Sequence, residues 1–362
     1  MHIEVKYDRL YCKMYTREIL SPRASPIEDG DPVIGTWNRA FEKVDLQEIK
    51  KPYKFPLPGW AKGWRIKEWQ CFNANNDYFF LDAIFCNVKL YRMAQVLVYD
   101  KVSGQKYLFR KIRPGTGWHL PISLANSSLD SRSSRFFFRI HNWLDADTIK
   151  LDINIEAKRK EPPLTIHFSY NISHHDVTPM ATSLCLTERR IMYTFKALAP
   201  VGGDMVVDGK HIHMNQENTS GFFLDCKGFF PYRMNTIICS GSGFDDENRR
   251  FGFHIAENQA RESNKNNENA LWVNGKLTPL PPVLITMPNG KDNEWVIQDL
   301  EGMIDLTFTP KEQNKSGARM LFTNVDFNTP LGYYNGVLVN SDGEKIQIKN
   351  LFGLGEKLYL RV

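Results

Sequence analysis

In "TIKLDINIEA" at 148–157 every second residue is apolar: Ile149, Leu151, Ile153 and Ile155 alternate with Lys150, Asp152 and Asn154. Successive side chains of a strand point to opposite faces, so a period of two marks a strand with one packed face and one wet face. Short β-rich runs recur on either side of it, in "YFFLDAIFCNVKLY" (78–91), "AQVLVYD" (94–100), "KYLFRKI" (106–112), "RFFFRIHNWL" (135–144) and "LTIHFSYNI" (164–172). Later runs are joined by Asp-Gly or Asn-Gly, as in "MVVDGKHIHM" (205–214), "ALWVNGKLTPL" (270–280) and "VLVNSDGEKIQI" (337–348). Those dipeptides accept the positive φ that tight hairpin turns demand. Strong helical periodicity is scarce. The pattern predicts an all-β chain of antiparallel sandwiches or barrels.

A chain of 362 residues is about twice the size of an ordinary domain. Residues 1–58 hold six prolines (Pro22, Pro26, Pro32, Pro52, Pro56 and Pro58) and little periodicity. They read as an irregular N-terminal extension with one short helix near 41–51. A first β domain is expected over 59–195 and a second over 196–362, because 171–200 is the least strand-like part of the remainder.

The formal charge of +5 is small and spread out, with "KRK" at 158–160 the densest cluster. Nucleic-acid binders concentrate basic residues on one face among aromatics, so none is expected as a partner. Six cysteines are scattered without a C-x-x-C pair, which argues against a zinc ribbon or a redox dithiol. The first twenty residues lack the apolar core of a secretory signal, and no run is long enough to span a bilayer. The expectation is a cytoplasmic chain with free thiols.

Two stretches combine charge with aromatic residues. In "GWAKGWRIKEWQCF" (59–72), a strand would put Arg65, Lys67 and Trp69 on one face and Ile66, Glu68 and Gln70 on the other. Glu68 in a cavity lined by Trp64 and Trp69 would have its pKa raised by desolvation and could exchange protons. An ion-paired glutamate beside anchoring indoles explains the same residues. In "GFFLDCKGFFPYRMNT" (221–236), Asp225 and Lys227 share a strand face, Gly228 suggests a bulge, and Pro231 ends regular pairing. Tyr232 and Arg233 would then lie at a rim. Asp225 or Tyr232 suits proton transfer, with Lys227 or Arg233 holding charge; a structural ion pair with a corner tyrosine is the alternative.

His211 and His213 would point the same way from a strand, and His174, His175 and Asp176 cluster in a loop, yet no local carboxylate completes a metal site. Glu268 and Glu356 read most simply as loop carboxylates. There is no glycine-rich nucleotide fingerprint, nucleophile elbow or H-E-x-x-H helix, so neither cofactor nor metal is expected.

"WRIKEW" (64–69) and "DCKGFFPY" (225–232) are followed by "ENALWVNGKL" (268–277), a Gly332 to Gly336 pair and Gly355-Glu356. In that order and spacing the chain resembles the domain of unknown function 2804 family over about residues 34–362. It departs from the family pattern at Gln70, where an acid often follows, and at Phe229-Phe230. It departs again at "RMNTIICSG", which replaces a tryptophan-rich run. The family implies no reaction.

A looser likeness is to two-domain lipocalin-like hydratases and cyclases, which implies two lipocalin-like barrels. It also implies a cofactor-independent cyclase, isomerase or hydratase acting on an apolar, isoprenoid- or polyketide-like molecule. Glu68, Asp225 and Tyr232 would then move protons, and Trp64, Lys67, Trp69, Lys227, Phe230 and Arg233 would surround the ligand. A non-catalytic carrier of a lipid-like ligand and a carbohydrate-binding or glycoside-cleaving protein are the alternatives.

Overall fold

The structure, a computed structural model, describes residues 14–158, 161–319 and 324–361. Strand accounts for 56% of it and helix for 4%. All but two of the described strands form two antiparallel sheets, of 13 and 11 strands, each curled into a half-barrel, and Ile27–Glu28 pairs with Asp31–Pro32 as a small separate hairpin. This is the expected all-β, two-sheet architecture.

Seven strands carry most of the candidate site residues. From the first sheet come β1 (Lys67–Asn75), β2 (Phe79–Asn87), β3 (Ile191–Val207) and β4 (Ser220–Gly228). From the second come β5 (Arg233–Phe244), β6 (Arg250–Glu257) and β7 (Lys345–Arg361). The expected domain division at 195/196 falls inside β3, and the chain passes between sheets after Gly228 instead. Pro231 lacks an amide hydrogen for a ladder, so pairing stops in the Phe229–Tyr232 connector and resumes at Arg233.

The 17-residue β3 serves two parts of its sheet. Its first half pairs with β4 and with Met180–Cys185, and its second half with Leu164–Asn171 and Lys210–Met214. Gly203 stands near the changeover with φ 129°, where a Cβ would collide with the His167 carbonyl, so only glycine fits.

Each half-barrel wraps its own aromatic-rich core. Phe72, Phe85, Phe138, Phe168 and Phe223 fill the first, and Phe253, Trp295, Phe308 and Tyr334 the second. The opposite faces of the sheets meet each other through three smaller clusters. One joins Phe222 and Trp272, another joins Phe80, Tyr99 and Phe352, and a third joins Met192, Phe230, Met234 and Leu360.

The N-terminal extension is more structured than its prolines suggest. Gly35–Trp37 adds an edge strand beside Met180–Cys185. Trp37, Phe41, Val44 and Ile49 are buried in the first core. The helix expected near 41–51 is a single 3-10 turn, Leu46–Glu48, whose first turn is capped by the Asp45 carboxylate. A helix absent from the sequence reading, α1 (Gly59–Arg65), follows Pro58. Proline fixes φ just before the first turn, a common helix start. Arg65 is therefore helical, and the strand alternation begins only at Lys67.

Arg17 fastens the extension to the second sheet. It donates from Nη1 to the Asn267 carbonyl at 2.7 Å and to Asn267 Oδ1 at 2.6 Å, and from Nη2 to the Asn269 carbonyl at 3.0 Å. Burial pushes its pKa down to about 10, which leaves it charged at neutral pH. Arg17→Ala strands several buried acceptors and is expected to cost on the order of 3 kcal/mol, read from urea unfolding. A loss within measurement error would show that the strap contributes nothing.

Among the described residues no helix is long and apolar enough to cross a membrane. The five described cysteines are all free, and Cys12 lies outside the described residues.

Candidate functional site

The two charged motifs meet as neighbouring strands. In the antiparallel pairing of β1 and β4, Glu68 lies opposite Lys227 and Gln70 opposite Asp225. Residues opposite each other share a face, here the face that continues into Phe72 and Phe223 of the first core. Glu68 accepts from Lys89 Nζ at 2.7 Å with both groups buried, and His119 Nδ1 is 3.5 Å away. Burial acts to raise the Glu68 pKa, but His119 and Lys89 outweigh it and hold the group below its ordinary value. Asp225 accepts from Gln70 Nε2 at 3.0 Å, and burial raises its pKa to about 6 against the pull of Lys227. Lys227 itself donates to the Pro121 carbonyl. Glu68, Lys89, His119 and Lys227 line a cavity of about 120 Å³ that Leu46, Gln47 and Ile66 close over.

The other sequence-predicted residues go elsewhere. Trp69 points to the opposite side of β1 and stacks on Phe230, ring centroids 5.1 Å apart. Lys67 is buried and donates to the Trp64 carbonyl at 3.1 Å. Burial, with Arg65 and Lys89 adding to it, depresses its pKa to about 7. Trp64, Tyr232 and Arg233 are exposed.

Trp69 looks into a second space, the cavity between the two sheets. Its volume is about 100 Å³, room for a few water-sized groups, within a long lining of mostly apolar side chains. Trp69, Ile84, Met192, Leu224, Met234 and Leu358 form much of the wall. The register explains which residues arrive there. In β1 and β2, Trp69 faces Cys86, Cys71 faces Ile84 and Asn73 faces Asp82, all on the side away from the first core. In the second sheet, Ser240 stands between His254 and Leu354, and Ile238 between Ala256 and Glu356.

Two carboxyls from opposite sheets thus enter one apolar cavity. Burial raises the Asp82 pKa to about 7, with a hydrogen bond from Asn73 opposing it. Burial, then the nearby charge of Asp82, raises the Glu356 pKa to about 7, with Thr329 opposing. Like charges in a low-dielectric space resist joint ionisation, so the pair retains proton at neutral pH.

His254 lines the same cavity. Burial, and secondarily Lys196, hold its pKa well below the usual range and keep the imidazole neutral. Among the described residues its Nε2 has no hydrogen-bond partner, Glu268 Oε2 lying 3.9 Å away, so it is a buried polar atom left to meet water or ligand. Beside it Lys196 of β3 donates to Glu268 Oε2 at 2.6 Å, a buried ion pair bridging the sheets. Glu268 also accepts from Asn258 Nδ2 at 2.6 Å.

Sequence reading missed this set. Glu356, read as a loop carboxylate, stands in β7, and Glu268 lies in a loop as expected but is buried. Asp82 had a visible signal, a lone acid inside the apolar run "YFFLDAIF". The histidine expectations fare differently. His211 and His213 share a face with Asp204, His213 Nδ1 lying 3.0 Å from its carboxylate, while His174 and His175 are exposed in a loop. Among the described residues no three such groups converge as a metal site.

Among solved structures the chain is similar to kievitone hydratase from Nectria haematococca, at 10% identity. The match covers 81% of this chain and 88% of that one, with a TM-score of 0.49. It also matches CdiB from Acinetobacter baumannii at 8% identity, covering 82% of this chain and 60% of that one, with a TM-score of 0.18. No curated protein matches by sequence. The family model described as "Domain of unknown function (DUF2804)" matches residues 16–361. That span takes in both sheets and every residue of the cavity, and the chain belongs to this family.

Proposed function

We propose that the cavity between the sheets is an acid–base active site for an apolar small molecule, with hydration, isomerisation or cyclisation at a carbon–carbon double bond as its chemistry. One observation carries this reading: Asp82 and Glu356, one from each sheet, line the same apolar cavity with pKa values raised to about 7. A carboxyl kept protonated near neutrality is a general acid, and its ionised neighbour stabilises positive charge as it develops on carbon. The ionised carboxylate accepts the proton, from the substrate in isomerisation or cyclisation and from an attacking water in hydration, while His254, whose protonation burial disfavours, accepts a hydrogen bond. Trp69 belongs to the apolar wall, with Phe230 stacked against it. Glu68, Asp225 and Lys227 stiffen the strand pair behind it, and Tyr232 takes no part.

Native mass spectrometry of the purified protein identifies a retained apolar molecule, and related alkenes and alcohols are then assayed for turnover. Asp82→Asn and Glu356→Gln are each expected to lower turnover by roughly 10² to 10⁴-fold with the β-sheet spectrum unchanged. Because the acid must be protonated, wild-type turnover falls as pH rises through about 7. Undiminished turnover in both variants removes the assignment. A ligand recovered chemically unchanged from wild type, with no turnover, makes the protein a carrier.

A further inference from the structure

Between Lys50 and Arg65 the sequence "KKPYKFPLPGWAKGWR" holds five cationic residues and no carboxylate. The same stretch carries three of the largest exposed apolar side chains among the described residues. Trp60 is 81% exposed, Phe55 56% and Trp64 44%. Trp60 and Trp64 are four residues apart on α1, so they project from neighbouring turns of one face. The helix buries none of its residues against the sheets.

The patch is held in place without being covered. Tyr53, next to it, has the Arg190 guanidinium over its ring at 4.1 Å and receives a hydrogen bond from Arg65 Nε at 3.1 Å. Lys62 donates to the Gln47 and Ile49 carbonyls, tying α1 to the extension. Lys54 pairs with Glu188 at 2.7 Å, and Lys50 and Lys51 are exposed.

Indole rings favour the boundary between lipid headgroups and acyl chains, and juxtaposed lysines and arginines favour anionic headgroups. Ordered, uncovered aromatics within an acid-free basic stretch match that boundary in both respects. We propose that Phe55, Trp60 and Trp64 form a docking surface for an anionic lipid bilayer, on which the protein rests without spanning it. This surface stands apart from the cavity, and either reading can fail without the other.

The test is sedimentation of the full chain with phosphatidylcholine vesicles and with vesicles containing about a third phosphatidylserine, alongside tryptophan fluorescence. Serine-lipid vesicles are expected to bind about tenfold more tightly, to shift the emission to shorter wavelength and to release the protein in high salt. Trp60→Ala/Trp64→Ala is expected to weaken that binding by about tenfold, and Lys51→Glu/Lys54→Glu to remove the preference for serine lipid. Since these side chains are exposed, the variants fold. Equal binding to both vesicles, or an unaltered tryptophan double variant, overturns the proposal. A dimer that the tryptophan replacements dissociate in the absence of lipid also overturns it, by making a second copy the occupant.

Discussion

Lys196→Met is expected to destabilise the protein by about 3–5 kcal/mol, the largest loss foreseen for any single replacement in this chain. Lys196 is fully buried in β3, donates to Glu268 Oε2 at 2.6 Å and also reaches the Glu268 carbonyl at 3.1 Å. Burial lowers its pKa and Glu268 counters that effect. Methionine fills a similar volume, so the loss comes from electrostatics. It leaves the Glu268 carboxylate buried between the sheets with Asn258, among the described residues, as the one remaining hydrogen-bond donor to its side chain. Equilibrium unfolding in guanidinium reads the cost. Lys196→Met/Glu268→Gln removes both charges and should recover most of the loss, because an apolar or neutral pair of similar size is often as stable as a buried ion pair. His254 supplies an independent readout. Lys196 depresses its pKa, so the Met variant should move the imidazole titration upward. A cost below about 1 kcal/mol, or a double variant no better than the single, would show that the pair is not what joins the sheets.

The all-β class was legible because alternation and Asx-Gly turns are local properties. Ile149, Leu151, Ile153 and Ile155 are all buried in the first core, as their spacing requires. The pairing of β1 with β4, which sets the two charged motifs side by side, depends on which strands become neighbours and is not legible in either motif alone. What a period of two cannot supply is which face looks where. Glu68 and Trp69 are adjacent in sequence, yet one turns to the first core's open end and the other to the cavity between sheets.

When both faces of a sheet are covered, polar residues no longer mark the outside, so one register step separates the residues singled out from those lining the cavity. Asp82 and Glu356 are 274 positions apart, and only the packing of one sheet on the other brings them together. The passage between sheets is hidden for a related reason: that β3 changes partners near Gly203 shows only once those partners are known, whereas Pro231 marks a local break in pairing, shortly after the first sheet's pairing stops at Gly228.

Asp82 also links the proposed chemistry to stability through pH. Its ordinary pKa of 3.8 becomes about 7 in the folded chain. Between those values the folded state binds more proton than the unfolded state, so stability falls as pH rises. Below 3.8 both states are protonated and the penalty is absent; above about 7 it is fully developed. Its size is on the order of 4 kcal/mol, lessened by whatever water the cavity admits. Asp82→Asn keeps the shape and removes the ionisation. The variant is therefore expected to be more stable than wild type by about that amount at alkaline pH and equal to it at acid pH, with the difference opening between. Glu356 adds to the effect, since the neutral neighbour no longer raises its pKa. Guanidinium unfolding of both proteins across the pH range measures this directly. A gain in stability joined to a loss of turnover is the signature of a strained catalytic carboxyl, whereas an ordinary structural aspartate loses stability when replaced. Curves that run parallel at every pH would mean that Asp82 ionises freely, and the protonated acid on which the proposed reaction depends would not exist.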